Sequence, residues 1–315
     1  MNTKPTISYT NQFAILIGLI GVSFIIASLA AAGAWVAMTG NSLFSMAKDI
    51  IKPEYANAAK WTQLIAAFIM FFVPSVVFAR IIQPNPLKQL GFSSLLSGKQ
   101  FFLVICVAIT AMGLSGALGT LNEMIPIPTN WATKFKKAED DYVKQLMTIA
   151  KMNNWKEYIF SLIVIALAPA IFEETLFRGA IQRLLQNWFK NVWAAIIITS
   201  IIFSLVHLSY YGFLARVGLG VILGLIFYYS RNIWLSILAH FLNNAIAVSV
   251  LYVMGTRGEN PEKALNENFP LIYGVIALLL IVLLLRLFKK ESKYIGAENL
   301  PDGSPSFIKS NNPFE

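Results

Sequence analysis

Long apolar segments alternate with short polar segments along most of the chain. A helix rises 1.5 Å per residue, so about 20 apolar residues span the ~30 Å hydrocarbon core of a bilayer. Segments near this length occupy residues 13–38, 62–82, 100–121, 157–186, 192–210, 213–230, 233–254 and 269–288. The pattern predicts an all-α fold, a polytopic bundle of about eight transmembrane helices.

The same pattern divides the chain into regions. We expect three N-terminal transmembrane helices, an amphipathic segment outside the membrane, a transmembrane core, a final transmembrane helix and a disordered polar tail. These regions are residues 1–121, 122–154, 155–254, 255–288 and 289–315. The tail is predicted to be disordered because it has too little apolar content to fold.

The amphipathic segment 122–154 follows the third membrane helix. Tyr142, Leu146, Ile149 and Met152 recur in it at spacings of three and four, with charged residues between them. This spacing is typical of a helix with one apolar face. Such an interfacial helix either packs on the membrane surface or covers a cavity as a lid.

Composition supports an integral membrane protein. Hydrophobic residues make up 57% of the sequence and charged residues 13%, against about 25% charged in soluble domains. The net charge of +9 is spread thinly between apolar segments, which argues against a nucleic-acid partner. The basic stretch "RLFKKESK" after the last membrane helix favours a cytoplasmic C-terminus. With an even number of crossings, we expect both termini inside a bacterial cytoplasmic membrane.

Charged residues interrupt the fourth apolar segment at "PAIFEETLFRG". Each ionised side chain costs about 2.5 to 3.5 kcal/mol at the centre of a membrane helix, so such residues are usually functional. Glu174 and Arg178 are four residues apart and should neutralise each other on one helix face. Glu173 is rotated by about 100° and is therefore left free for chemistry.

The chain has two histidines, and both lie in or at the end of membrane segments. His240 and Asn244 are four residues apart and share a helix face, whereas Asn243 does not. A polar side chain exposed to lipid has no water to pair with. We therefore predict that Glu173, His207, His240 and Asn244 converge on one water-filled pocket inside the bundle.

Three short motifs carry a family resemblance. "EETLFR" matches an EExxxR motif, "FSLVH" an FxxxH motif and "HFLNN" an HxxxN motif. In this order they resemble the CAAX prenyl protease and bacteriocin-processing family of intramembrane endopeptidases, the type II CAAX protease group. The resemblance covers roughly residues 155–250 and implies a peptide or protein substrate that meets the enzyme in membrane lipid.

The resemblance also implies roles for the motif residues. Glu173 and His207 would activate a water for peptide hydrolysis. His240 and Asn244 would donate to the oxyanion. The Glu174–Arg178 pair would hold the helix in place, and the reaction would need no cofactor.

Other mechanisms and functions remain open. Glu173, His207 and His240 would suit a catalytic zinc with an open position, although HExxH is absent and the histidines lie on different helices. A proton-coupled transporter would use Glu and His as a relay, but the motif segments show no internal repeat. A non-catalytic immunity or scaffold protein is the third alternative, and retention of every motif residue argues against it.

Overall fold

The protein is described by a computed structural model that covers residues 7–259 and 269–298. Within these ranges the chain forms helices and turns and contains no strand. The predicted all-α, polytopic bundle is therefore confirmed. We number the nine main helices of the described ranges in chain order.

The nine helices differ mainly in length. They are α1 (Tyr9–Thr39), α2 (Pro53–Ile82), α3 (Gly98–Glu123), α4 (Thr129–Ile149), α5 (Trp155–Phe189), α6 (Val192–Leu205), α7 (Phe213–Ser230), α8 (Ile233–Thr256) and α9 (Leu271–Glu298). Seven of the described helices are long and apolar enough to cross a membrane. The exceptions are the amphipathic α4 and the short α6.

Helix α6 corrects the predicted span 192–210. It has 14 residues and ends at Leu205, and the chain then forms a turn over residues 206–212. In this turn Leu208 has a φ of 52°, and the Ser209 and Tyr210 carbonyls accept hydrogen bonds from side chains. These features end the helix although the sequence stays partly apolar. The described residues thus contain seven long spans and one short apolar helix instead of eight similar spans.

Helix α9 corrects the start of the predicted disordered tail 289–315. The helix continues to Glu298. Its polar end is held by α3, because Ser97 Oγ donates to Glu291 Oε1 at 2.9 Å and Gln100 Nε2 donates to Ser292 Oγ at 3.0 Å. Contacts between helices therefore order a segment whose composition predicts disorder. Residues 299–315 lie outside the described ranges.

Helix α5 is the central element of the bundle and is not a regular α-helix. Two π-helical segments, Leu162–Leu167 and Thr175–Gln182, flank an α-helical segment, Ala168–Glu174. Pro169 follows the first of them, and all eight residues of the second are buried. π-Helical turns shift the side-chain register and are frequent at functional sites. The charged motif of the sequence lies across the second junction.

Helix α4 is present within the predicted amphipathic segment and lies against the bundle. Thr148 Oγ1 donates to Ile51 O at 2.7 Å, and Lys60 Nζ donates to Lys151 O at 3.4 Å just beyond the helix end. Met152 was predicted to lie on the apolar face of this helix, but the helix ends earlier, at Ile149. Towards its middle, α4 contacts the turn that follows α6.

Candidate functional site

Glu174 is the centre of a buried polar cluster. Its side chain is fully buried, and its Oε2 lies 3.2 Å from Arg178 Nε. Its Oε1 lies 3.0 Å from His240 Nδ1, and Ser236 Oγ donates to Oε2. The predicted Glu174–Arg178 pair is confirmed. Ser236 was missed, although it precedes His240 by four residues and so shares its face of α8.

Arg178 has few partners besides Glu174. Its side chain is fully buried, and its guanidinium lies 5.3 Å from the centre of the Phe203 ring, a cation–π distance. Within the described part of the chain, Nε, Nη1 and Nη2 have no hydrogen-bond partner, so the contact with Glu174 is an ion pair. The Glu174 carboxylate is therefore the main compensation for a buried positive charge. Removing it would leave that charge unpaired.

His240 lies between the two glutamates of the motif. Its Nδ1 contacts Glu174, and its Nε2 lies 3.9 Å from Glu173 Oε2. An ionised carboxylate only accepts hydrogen bonds, so Nδ1 carries a proton and Nε2 faces Glu173. The Glu173 side chain is 12% exposed, whereas that of Glu174 is fully buried. Of the two carboxylates, Glu173 is thus the one that a small molecule can reach.

His207 lies in the turn after α6, and its side chain is half-buried. Its Nδ1 is 2.8 Å from Phe203 O, and because a carbonyl only accepts, Nδ1 carries the proton and Nε2 is the acceptor nitrogen of the ring. Among the described residues, the histidine within ion-pair distance of Glu173 is His240. A direct Glu173–His207 pair is therefore not formed, and their joint action on a water stays a prediction.

Phe203 links the members of the cluster, a role that the sequence did not reveal. It is buried, and its ring centroid lies 5.0 Å from that of His207 and 5.8 Å from that of His240. Arg178 lies over the same ring. One aromatic side chain thus packs against three of the polar residues. The FxxxH spacing was the available signal, because it places the Phe one helical turn before the His.

Asn244 contacts the backbone of α5. Its Nδ2 donates to Ile165 O at 3.4 Å, and its Oδ1 accepts from Asn243 Nδ2 at 3.2 Å. Ile165 lies four residues before Pro169, which has no N–H to donate to that carbonyl. Asn244 therefore donates to a carbonyl in the π-helical segment of α5 that Pro169 cannot engage. The predicted role of Asn244 as an oxyanion donor is not tested by this contact.

The predicted zinc ligands do not form a ligand set. Within the described ranges, no group of three His, Cys, Asp or Glu side chains is arranged to hold a metal ion. Glu173 and His240 are close together, but His207 directs its Nδ1 to the backbone of its own helix. The geometry gives the zinc alternative no support.

Fold and site together define a class: a multi-pass membrane protein with a buried Glu–His–Arg cluster inside its helix bundle. Residues 155–246, from the start of α5 into α8, match the family model described as Type II CAAX prenyl endopeptidase Rce1-like. The match includes every residue of the predicted site and confirms the resemblance over this segment. No curated protein and no solved structure matches the chain.

Proposed function

We propose that the protein is an intramembrane endopeptidase that hydrolyses a peptide bond with a water activated by Glu173. The substrate would be a peptide or protein that reaches the site from the surrounding lipid. The observation that carries the proposal is the unequal environment of two adjacent carboxylates. Glu174 is committed to Arg178, His240 and Ser236, whereas Glu173 keeps an accessible carboxylate beside the imidazole of His240. The family match over residues 155–246 supports the same reaction class.

In the proposed reaction, the Glu173 carboxylate takes a proton from water as the water oxygen attacks the peptide carbonyl carbon. His207 Nε2 is free to accept the second hydrogen of that water, because Nδ1 is engaged by Phe203 O. The attack gives a tetrahedral intermediate with a negative oxygen. The proton held by Glu173 then passes to the amide nitrogen as the C–N bond breaks, which leaves a carboxylic acid and an amine, and the acid afterwards loses its proton to solvent.

The negative oxygen would be stabilised by donors from α8. To donate from Nε2 while Nδ1 donates to Glu174, His240 must carry both ring protons. The second hydrogen of Asn244 Nδ2 is the other candidate donor.

The test is the variant Glu173→Gln, because an amide cannot accept the proton from water. Turnover should fall by about 10²- to 10⁴-fold, the usual contribution of a general base. The assay uses two quenched fluorescent peptides in detergent, one with a prenylated cysteine near the C-terminus and one without the prenyl group. The matched control is Glu157→Gln, at the start of the same helix and away from the cluster. If Glu173→Gln cleaves as fast as the control, the proposed role of Glu173 is wrong.

A further inference from the structure

We infer that Asn122, which lies outside the family match, is a positioning residue for His207. It is 1% exposed and lies near the end of α3. Its Nδ2 donates to Tyr210 O at 3.0 Å, and its Oδ1 accepts from Leu214 N at 3.0 Å. One amide thus binds the chain at two points around residues 206–212, which we call the His207 turn. The catalytic part of the inference rests on the proposed function.

Asn122 supplies bonds that the His207 turn does not supply itself. The Leu214 N–H is in the first turn of α7, and the first four N–H groups of a helix have no partner within it. The residue at the cap position is Gly212, which has no side chain to accept from them. Asn122 therefore acts as the helix cap from a different helix. This ties the start of α7, and the turn before it, to α3.

The conformation of the turn makes such a restraint necessary. Leu208, directly after His207, has a φ of 52°, a left-handed conformation that is strained for a leucine. The residue is 86% exposed and so gives little packing to offset the strain. Strained residues persist where the surrounding structure holds them. The restraint must therefore come from the backbone on either side of Leu208.

One other hydrogen bond ties the turn to a distant element, because Ser209 Oγ donates to Glu139 Oε2 on α4 at 2.6 Å, and two more are local in sequence. Ser204 Oγ donates to Phe213 O at 2.8 Å, and Arg216 Nη2 donates to Ser209 O at 2.7 Å. Both donors belong to the helices that the turn connects, so they shape the turn without fixing it to the rest of the bundle. Asn122 adds a fixed point on the membrane helix α3, whereas Glu139 lies on the amphipathic α4. Asn122 therefore sets where His207 lies relative to the cluster on α5 and α8.

Asn232 provides a matched control in the same protein. It is also 1% exposed, its Nδ2 donates to Leu95 O at 2.9 Å, and its Oδ1 accepts from Trp234 N at 3.0 Å. It thus also donates to a distant loop carbonyl and accepts from the first turn of a helix, here the helix α8 that it caps itself. Its loop does not carry His207. A general loss of stability should therefore appear in both Asn122→Ala and Asn232→Ala, and a positioning effect on His207 should appear in Asn122→Ala alone.

The experiment compares wild type, Asn122→Ala and Asn232→Ala in lipid nanodiscs. Amide hydrogen exchange is measured by mass spectrometry on peptides that cover residues 206–214 and 91–97. Asn122→Ala should raise exchange about tenfold at 206–214 and leave 91–97 unchanged, because local opening is reported by the local amides. Asn232→Ala should show the reverse.

Turnover of the prenylated peptide then tests the consequence for catalysis. Asn122→Ala should lower kcat by about 10- to 100-fold, the effect of a misplaced catalytic group. KM should stay within about twofold, because His207 acts on water rather than on substrate binding. Asn232→Ala should keep kcat within about threefold of wild type. A general loss of folded protein would also lower the apparent kcat at unchanged KM, so kcat is calculated per folded molecule. Unfolding is recognised because it would raise hydrogen exchange throughout the chain and not only at 206–214.

Several results would overturn the inference. Unchanged exchange at 206–214 in Asn122→Ala would show that the amide does not hold the turn. Equal increases at both loops in both variants would show a general stability effect, and a loosened turn with unchanged kcat would remove the link to catalysis.

If Asn122→Ala does not fold, Asn122→Asp keeps the acceptor for Leu214 and loses the donor to Tyr210. Wild-type exchange at 206–214 in Asn122→Asp would likewise overturn the inference. If wild type cleaves neither peptide, the proposed function fails, while hydrogen exchange still decides whether Asn122 holds the turn.

Discussion

Replacing Glu174 by Gln should destabilise the protein far more than the same replacement at Glu173. The Glu174 carboxylate is surrounded by two hydrogen-bond donors, His240 Nδ1 and Ser236 Oγ, and by the positive charge of Arg178. A glutamine has the same shape but only one oxygen, and its amide nitrogen would face a donor. The change therefore breaks an ion pair and also sets two donors against each other.

The magnitude follows from burial. Arg178 and Glu174 both have fully buried side chains, and losing one partner of such a pair costs about 3–5 kcal/mol. Glu173 is partly exposed, and its contact with His240 is 3.9 Å, longer than a hydrogen bond. We expect Glu173→Gln to cost about 1 kcal/mol or less. The two variants should thus differ by about 2–5 kcal/mol in free energy of unfolding.

The single cysteine of the chain, Cys106, makes the assay simple. It lies partly buried in α3, so a thiol-reactive fluorophore reports its exposure as the protein unfolds on heating in detergent. Glu174→Gln should melt well below wild type, and Glu173→Gln close to it. Adding Arg178→Met to Glu174→Gln should recover most of the loss, because the unpaired buried charge is then gone.

Two results would refute this reasoning. Wild-type melting of Glu174→Gln would mean that Arg178 does not depend on that carboxylate. A double variant no more stable than Glu174→Gln would mean that the loss does not arise from the unpaired charge.

Two further predictions concern access and metal. Glu139 on α4 accepts a hydrogen bond from Ser209 in the His207 turn at 2.6 Å. If α4 is a lid, a disulfide crosslink between Glu139→Cys and Ser209→Cys, in a Cys106→Ser background, should block cleavage of long peptides. Unchanged turnover would make α4 a packing element. Chelators should leave turnover unchanged because the described site forms no three-residue ligand set, and inhibition reversed by added Zn²⁺ would contradict the metal-free mechanism.

The site could be predicted from sequence where the contacts are local. Glu174 and Arg178 form their pair because residues four apart meet on a helix, and this relation needs no knowledge of the fold. The contact of Glu174 with His240 joins residues 66 positions apart on different helices. It depends on how α5 and α8 pack, and on a π-helical register within α5 that residue spacing does not reveal. Residue spacing on a helix therefore predicts the Glu174–Arg178 pair, but it does not predict that the His240 imidazole lies between the two glutamates.

For the fold, the sequence predicts the number and approximate length of the apolar segments, but not where each helix ends. Apolar residues continue beyond Leu205 at Val206 and Leu208, so hydropathy extends the sixth segment past the end of α6. The helix ends earlier because the backbone at Leu208 is left-handed and nearby carbonyls bind side chains. At the C-terminus the reverse occurs, since α3 holds a polar helical end that composition predicts to be disordered. In both places hydrogen bonds override the local composition.

The three charges of the fourth segment remain inside the membrane because they are not independent. Taken singly, each would cost about 2.5 to 3.5 kcal/mol at the centre of a membrane helix. In the bundle, Arg178 and Glu174 offset each other, and His240 Nδ1 and Ser236 satisfy the remaining acceptor positions of Glu174. That arrangement fixes the imidazole so that its other nitrogen faces Glu173. The buried pair therefore does more than stabilise α5, since it orients the histidine beside the one motif carboxylate that water can reach.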